Sequence, residues 1–242
     1  MRTCCKQQIS YALQYDRSAL VSFYLPEIMI ARQPHRDALR VLFLIRAGGS
    51  APDPAIDGVV SIFRSEARLH AMDFWVRNPD YLAEELLDIY QASGDETYLT
   101  IAESIFLNEE PDLRRIPMIR YFFGAFERLD DTLSLLRSRE LIRVVGIKKG
   151  LKVLETDFLL TDKGEQFCVR CLTNAPVLKW YAERADLVAS VAGDRSGSAL
   201  KQKQYERASY AQTKYGGIIP SIAANTGERI SQLKLAARGG DG

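Results

Sequence analysis

The sequence predicts a mainly α-helical protein with a small β-hairpin. This is an α+β fold with a helical N-terminal domain, a winged-helix domain and C-terminal helices. Three observations within residues 116–171 support the prediction. Apolar residues recur at helical spacing, two runs rich in Val, Ile, Leu and Phe flank the sequence GIKKG, and a threonine precedes a further helical segment. Helix, two-stranded hairpin and helix, in that order, form the second half of a winged-helix domain.

The helix of this unit is predicted over residues 126–139 with one buried face. Its apolar residues are spaced by three, four and five positions: Phe126, Leu129, Leu133, Leu136 and Leu141. The runs LIRVV and LKVLETDFLL are the expected strands, and GIKKG is the expected turn between them. Thr161 is expected to cap the next helix, with Glu165 near the first turn, where its side chain can accept hydrogen bonds from free backbone N–H groups.

The N-terminal domain is assigned to residues 1–111 and can be interpreted as a helix-turn-helix unit without a wing. Its expected helices are residues 37–46, 59–76, 81–90 and 95–108. Residues 1–34 lack a clean period and are expected to form one helix or an irregular arm.

The remaining chain is assigned to a winged-helix domain over residues 112–174, C-terminal helices over 175–214 and a mobile tail over 215–242. Ser198 is expected to cap a helix over residues 199–212. The tail contains a Gly-Gly pair and Pro220, so at most a weak helix is expected there.

The composition indicates a globular protein that does not enter a membrane. Apolar residues make up 47% of the chain, and no run reaches the roughly 20 apolar residues that a membrane span requires. The first residues, MRTCCKQQIS, lack the apolar core of a secretory signal. A cytoplasmic location and no membrane partner are therefore expected.

The net charge is only +1, but it is unevenly distributed. Residues 1–111 contain 10 Lys or Arg against 16 Asp or Glu, residues 112–178 contain 12 against 9, and residues 179–242 contain 10 against 6. A basic second half favours contact with an anionic partner. The alternative is that solvated helix faces simply differ in charge.

No catalytic residue, cofactor or metal site is predicted. His35 and His70 do not share a triad or metal-ligand spacing with other candidate residues, and the phosphate-binding pattern GxxxxGK[ST] is missing from the sequence. The cysteines form one adjacent pair, at positions 4 and 5, and one CxxC pair, Cys168 and Cys171. One CxxC without a second is weak support for zinc, and a redox thiol needs a low pKa at a helix N-terminus. Buried thiols are expected instead.

The predicted hairpin carries the candidate DNA contacts. Arg143 lies on the entering strand, and Lys148, Lys149 and Lys152 surround the turn. The helix before it has acidic residues at its N-terminal end and no Asn or Gln, so sequence-specific base reading is not expected. The alternative is that this winged helix is a protein-docking module.

Three motifs occur in order along residues 118–206. Their residues are Met118, Ile119, Arg120, Tyr121 and Gly124; Leu160, Thr161 and Gly164; and Ser196, Gly197, Leu200, Lys201, Tyr205 and Glu206. Together with the helix near residue 40, they resemble the middle component of bacterial ABC three-component systems, such as the Lamassu-type defence complexes. One departure is Gly-Ala-Phe-Glu at 124–127, where that family often has Gly-Pro-Trp-Asp.

The resemblance implies a non-enzymatic adaptor that sits on the heads of an SMC/Rad50-like ATPase, holds a nuclease effector and acts near double-stranded DNA. Arg120, Tyr121, Lys201 and Tyr205 are then the candidate partner contacts. A basic C-terminal helix with Lys203 and Arg207, and exposed aromatic residues such as Tyr205 and Tyr210, would suit an assembly subunit. The alternative function is a dimeric winged-helix transcription regulator, which would need base-reading side chains and a long dimerisation helix.

Overall fold

A computed structural model describes residues 34–107, 118–121, 124–126, 129–149 and 152–239, with the side chains at 121, 126, 147–149, 152–154 and 238 left out of the description. All elements below belong to the compact unit of residues 33–242. The predictions made for residues 1–33 and for the connector at 108–117 lie outside the described residues.

The described residues form helices with a small amount of sheet. The helices are α1 (Pro34–Gly48), α2 (Glu66–Arg77), α3 (Pro79–Ser93), α4 (Glu96–Leu107), α5 (Asp130–Ser138), α6 (Asp162–Asn174), α7 (Lys179–Ala192), α8 (Gly197–Tyr205), α9 (Ala208–Gln212) and α10 (Ala223–Gly239). The strands are β1 (Val59–Phe63), β2 (Ile119–Tyr121), β3 (Gly124–Phe126), β4 (Ile142–Lys149) and β5 (Lys152–Thr161). A short 3₁₀ helix, Pro176–Leu178, precedes α7. The predicted α+β class, mainly helical with a β-hairpin, is confirmed at this level.

The larger sheet has three antiparallel strands in the order β1-β5-β4. Val59 pairs with Thr161 at one end of β1 and Phe63 pairs with Phe158 at the other. Strands β2 and β3 form a separate two-stranded sheet. Residues 216–219 add backbone hydrogen bonds to β2, including Arg120 N–H to Gly217 O at 2.9 Å.

The prediction of a helix over residues 59–76 is wrong in its first part, because residues 59–63 form β1. Their burial alternates along the strand, and three of the five residues are β-branched. The open backbone groups of β5 are satisfied by pairing with this segment, so tertiary contact overrides the local apolar pattern. The helical part begins only at Glu66.

The predicted helix over residues 126–139 is shorter than expected. It begins at Asp130, and Phe126 belongs to β3. Leu129 and Leu136 are buried, as the spacing predicted. The predicted turn GIKKG is largely strand, because β4 continues to Lys149 and only residues 150–151 separate it from β5.

The two predicted helix caps have different outcomes. The cap at Thr161 is confirmed, since the backbone N–H of Gly164 donates to its Oγ1 at 3.0 Å. Glu165 does not serve this N-terminus, because its carboxylate accepts from Arg46 Nη2 at 2.7 Å. Ser198 is not the next cap: the N-cap of α8 is Ser196. The single helix expected over residues 199–212 is divided into α8 and α9.

The tail over residues 215–242 was predicted to be at most weakly helical, and its described part contradicts this; the predicted mobility stays a prediction. The described part contains α10, a helix of 17 residues. Asp80 accepts hydrogen bonds from Ser221 Oγ at 2.8 Å and from Ile222 N–H at 2.7 Å. Tyr81 Oη donates to the carbonyl of Pro220 at 2.9 Å, so the tail is attached to the start of α3.

One hydrophobic core joins the elements from α1 to α10, so the domain boundaries predicted at 111/112 and 174/175 do not coincide with breaks in the core. Its largest fully buried side chains include Trp75, Tyr81 and Tyr210. A buried ion cluster connects α1 and α2, in which Arg40 Nε lies 2.6 Å from Asp73 Oδ1. None of the helices among the described residues has the length and apolarity that crossing a membrane would require.

Candidate nucleic-acid interface

The outer half of the β4–β5 hairpin extends beyond the third strand of its sheet. Strand β1 pairs with β5 only from Phe158 to Thr161, whereas β4 and β5 remain paired out to Lys149 and Lys152. We call this two-stranded part, residues 145–149 and 152–157, the ribbon. At about 3.4 Å per residue it reaches roughly 17 Å past the edge of β1.

The three candidate DNA-contacting lysines lie at the outer end of the ribbon. Lys149 pairs with Lys152, and Lys148 pairs with Val153. The register therefore brings three positive residues of the sequence to one end of the hairpin. Their side chains are outside the described atoms, and contact with DNA stays a prediction.

Arg143 is separated from these lysines. It lies near the start of β4, six positions before Lys149, which corresponds to about 20 Å of strand. Its exposed guanidinium donates from Nη1 to the carbonyl of Asp57 at 3.2 Å. The four candidate DNA contacts are thus divided between the tip of the ribbon and the base of the hairpin.

A groove of about 590 Å³ surrounds Arg143 at the base of the hairpin. We call it the base groove, and it is lined by Gly58, Arg137, Glu140, Ile142, Arg143, Val144, Thr161, Asp162 and Lys163. Lys163 Nζ donates to Glu140 Oε2 at 2.7 Å. This hydrogen bond, with the charge of Lys163, lowers the pKa of Glu140. The lining of the groove thus combines three basic residues with two acidic ones.

The predicted basic C-terminal helix is neutralised inside the molecule. Arg207 Nη2 lies 2.7 Å from Glu85 Oε1 and 2.6 Å from Asp88 Oδ2, both on α3. Lys203 contacts the same Asp88 at 3.4 Å. Arg229, on α10, lies 2.8 Å from Asp88 Oδ1. Much of the charge difference between the two halves of the chain is therefore internal pairing, which weakens the expectation that this helix meets an anionic partner.

These ion pairs act differently on the two carboxyl groups. Burial raises the pKa of Glu85, and the charge of Arg207 only partly opposes it. Burial alone would also raise the pKa of Asp88, but hydrogen bonds from Arg229 and Arg207 lower it below its ordinary value. Asp88 is therefore the carboxylate around which the C-terminal cations are arranged.

Three of the four predicted partner contacts meet one another. The ring of Tyr205 has Arg120 Cζ 5.1 Å from its centroid and Lys201 Nζ 5.6 Å from it. Arg120 Nη1 also donates to the carbonyl of Ala211 at 2.6 Å, so it joins β2 to α9. The backbone of Tyr121 lies in β2. Arg120 has a structural role in these contacts, and a role of the four residues in binding a partner stays a prediction.

Tyr210 was expected to be exposed, and this is wrong. It is fully buried, with its ring 5.3 Å from that of Phe74. Its Oη accepts a hydrogen bond from the backbone N–H of Ala125 at 2.5 Å, and burial raises its pKa. No local sequence pattern indicates this contact, because the two partners lie 85 positions apart.

Two motif glycines lie at close approaches between segments. A Cβ at Gly164 would overlap the carbonyl oxygen of Leu141, and a Cβ at Gly197 would lie 2.5 Å from the backbone nitrogen of Arg68. Thr161, in the same motif as Gly164, donates from Oγ1 to the carbonyl of Leu141 at 3.0 Å. These motif residues hold neighbouring segments together.

Both thiols of the CxxC pair have raised pKa values. Cys168 is buried, and desolvation raises the pKa of its thiol to about 12. Burial also raises the pKa of Cys171. The expectation of a buried thiol is confirmed for Cys168, while the pair at positions 4 and 5 lies outside the described residues. Across the part of the chain that the structure describes, no group of three or more His, Cys, Asp or Glu is placed to hold a metal ion.

Comparison of the chain with protein-family models, with curated proteins and with solved structures finds no match.

Proposed function

We propose that the protein is a non-enzymatic adaptor subunit of an SMC/Rad50-like ATPase–nuclease complex in bacterial defence, and that it contacts double-stranded DNA through the ribbon. The observation that carries the DNA part is the position of Lys148, Lys149 and Lys152 at the end of a projecting two-stranded ribbon. Phosphate contacts by lysine depend mainly on charge and access, and a narrow ribbon can provide both.

The order of the sheet supports the interpretation of the ribbon as a wing. In a winged helix the first strand lies beside the third, and the second and third strands form the wing. The order β1-β5-β4 follows this scheme, with α5 immediately before the hairpin. In this interpretation the winged unit begins with α1 and β1 rather than at residue 112, and the elements from α3 to β3 are an insertion within it.

The adaptor part of the proposal is supported by the resemblance of the three motifs. In the structure, the first and third motifs are in contact, since Arg120 lies against Tyr205. A scaffold whose distant segments are fixed in this way can present one surface to an ATPase and another to an effector. The proposed location is the cytoplasm.

The DNA contact is tested by reversing two charges on the ribbon. Lys148→Glu combined with Lys149→Glu should weaken binding of the whole chain to a 30-base-pair duplex at least tenfold in 0.1 M salt. The slope of log K against log [salt] should become shallower by about 2, because two phosphate contacts are lost. Fluorescence anisotropy at four salt concentrations measures both quantities.

The matched control reverses two exposed cations elsewhere, Lys179→Glu with Lys214→Glu. It changes the net charge by the same amount as the ribbon variant. Because only the long-range effect of net charge is then altered, the affinity for the duplex should stay within about twofold of the wild-type value. If both double variants weaken binding equally, net charge alone explains the loss and the ribbon is not the contact.

The adaptor role is tested by affinity purification of the tagged chain from its host. Co-purification of an SMC-like ATPase and a nuclease supports the proposal. Recovery of a homodimer that protects one defined operator would instead support the transcription regulator.

A further inference from the structure

We infer that the base groove is a second phosphate-binding site, which receives the DNA backbone about half a helical turn from the ribbon tip. The inference rests on the proposed DNA contact and extends it to residues outside the hairpin tip. Its chemistry is that of a phosphate oxyanion held by two guanidinium groups and one ammonium group.

The three cations of the base groove come from three different elements. Arg137 is in the last turn of α5, Arg143 is on β4, and Lys163 is in the first turn of α6. All three line the same groove, although up to 26 positions separate them in the sequence. Guanidinium and ammonium groups that line one groove in this way can donate charge-assisted hydrogen bonds to the oxygens of one phosphate.

Arg143 is held in position before any ligand arrives. Its Nη1 donates to the carbonyl of Asp57 at 3.2 Å, which uses one of the five N–H donors of the guanidinium. Gly58 lies beside this guanidinium: a Cβ there would be 3.0 Å from Arg143 Nη2, and the residue has φ of +67°, which favours glycine. A side chain ordered in advance loses less entropy on binding.

The carboxylates in the groove do not cancel its charge. Glu140 is paired with Lys163, but the two side chains are 78% and 56% exposed. Exposed ion pairs contribute little free energy, so Lys163 can exchange this partner for a phosphate at small cost. By contrast, Lys203, Arg207 and Arg229 contact the carboxylates of α3 in partly buried pairs. The groove and the ribbon tip therefore remain as the better candidates for an external anion.

The two sites lie far enough apart to contact different phosphates of one duplex. About 20 Å of strand separates Arg143 from Lys149, which is the length of about six stacked base pairs. Simultaneous contact with both sites therefore needs a duplex of at least about this length.

The test compares two variants with opposite changes of charge in the groove. Arg137→Gln combined with Lys163→Gln should weaken binding of a 30-base-pair duplex about tenfold in 0.1 M salt and make the salt slope shallower by about 2. Glu140→Gln removes a negative charge from the same groove. This variant should have the opposite effect and bind the same duplex about threefold more tightly. Thermal unfolding of each variant confirms that the chain is folded.

The outcomes separate this inference from the proposed function. If Lys148→Glu with Lys149→Glu weakens DNA binding but the groove variants leave the affinity unchanged, the phosphate site in the base groove is excluded. The proposed DNA contact of the ribbon is then unaffected. If the wild-type chain binds no duplex, the proposed DNA contact fails, and the groove is then measured by titration with inorganic phosphate. Phosphate binding that the double groove variant abolishes would assign the site to a free phosphate. No phosphate binding would overturn the site altogether.

Discussion

At the scale of single residues, the motif positions mainly make packing contacts between distant segments of the chain. Gly164 lies against the carbonyl of Leu141, and Gly197 lies against the start of α2. Arg120 is in contact with the ring of Tyr205 and with the end of α9. A motif that carries a resemblance can therefore reflect the internal packing that a fold requires as well as contact with a partner.

Replacing Gly164 with alanine tests this interpretation. Because the new methyl group would meet a backbone carbonyl that cannot move freely, Gly164→Ala should lower the free energy of unfolding by about 1–3 kcal/mol. Urea denaturation followed by circular dichroism measures the change.

The control for this substitution is Gly227→Ala in α10. A Cβ at Gly227 meets nothing within 4 Å, and alanine is the better helix former by about 0.8–1 kcal/mol. This variant should be slightly more stable than the wild type. Equal stabilities of the two variants would show that the contact at Gly164 is not tight.

At the scale of elements, the helix α10 shows why a local sequence pattern can mislead. The Gly-Gly pair and Pro220 predicted at most a weak helix, but α10 has 17 residues and its ion-pair partners lie about 140 positions earlier, on α3. Arg229 contacts both Glu84 and Asp88 there. Contacts between residues so far apart along the chain produce no local periodic pattern from which the helix could be predicted.

Arg229→Gln should loosen α10. Loss of the charge-assisted hydrogen bonds should lower the free energy of unfolding by about 1–2 kcal/mol at neutral pH. Amide hydrogen exchange over residues 223–239 should accelerate correspondingly. The control Lys214→Gln changes an exposed cation and should alter neither quantity.

The effect of Arg229→Gln should also depend on pH. The folded state lowers the pKa of Asp88, so its carboxylate stabilises the fold above the ordinary aspartate range and ceases to do so as pH falls through the lowered pKa. The difference between wild type and variant should therefore shrink in acid. A difference that stayed constant down to full protonation would exclude Asp88 as the relevant partner.

The elements that were predicted correctly are those with a strong local pattern. The hairpin, the cap at Thr161 and the buried face of α5 follow from periodicity and residue type alone. Strand β1 was missed because its apolar run continues directly into the pattern of α2, and only pairing with β5 decides its conformation. Of the candidate site, the ribbon could be predicted, whereas the base groove could not, since its cations come from separate elements.

At the scale of the whole molecule, each half of the chain contributes to the sheet, the ion pairs and the core of the other half. The first half supplies β1 to the sheet of the second, and the acidic residues of α3 neutralise cations near the C-terminus. The hydrophobic core includes residues from both halves. The described part of the chain is therefore expected to fold as one cooperative unit.

A fragment of residues 112–174, the predicted winged-helix domain, tests this expectation. It lacks both β1 and α1, so one edge of β5 and the face of α5 that packs on α1 would be exposed. The fragment should show no cooperative thermal transition by circular dichroism, whereas the full chain should show one. A cooperative transition in the fragment would instead support the predicted domain boundaries.

The pairing of β1 with β5 also has a consequence for synthesis on the ribosome. Val59 leaves the exit tunnel about a hundred residues before Thr161, and at 5–20 residues per second this interval lasts roughly 5–20 s. During this time the nascent chain has a strand without its partner, and the closing contact has a high sequence separation. Slow translation through residues 64–151 would therefore lengthen the period in which an unpaired strand can associate with other chains.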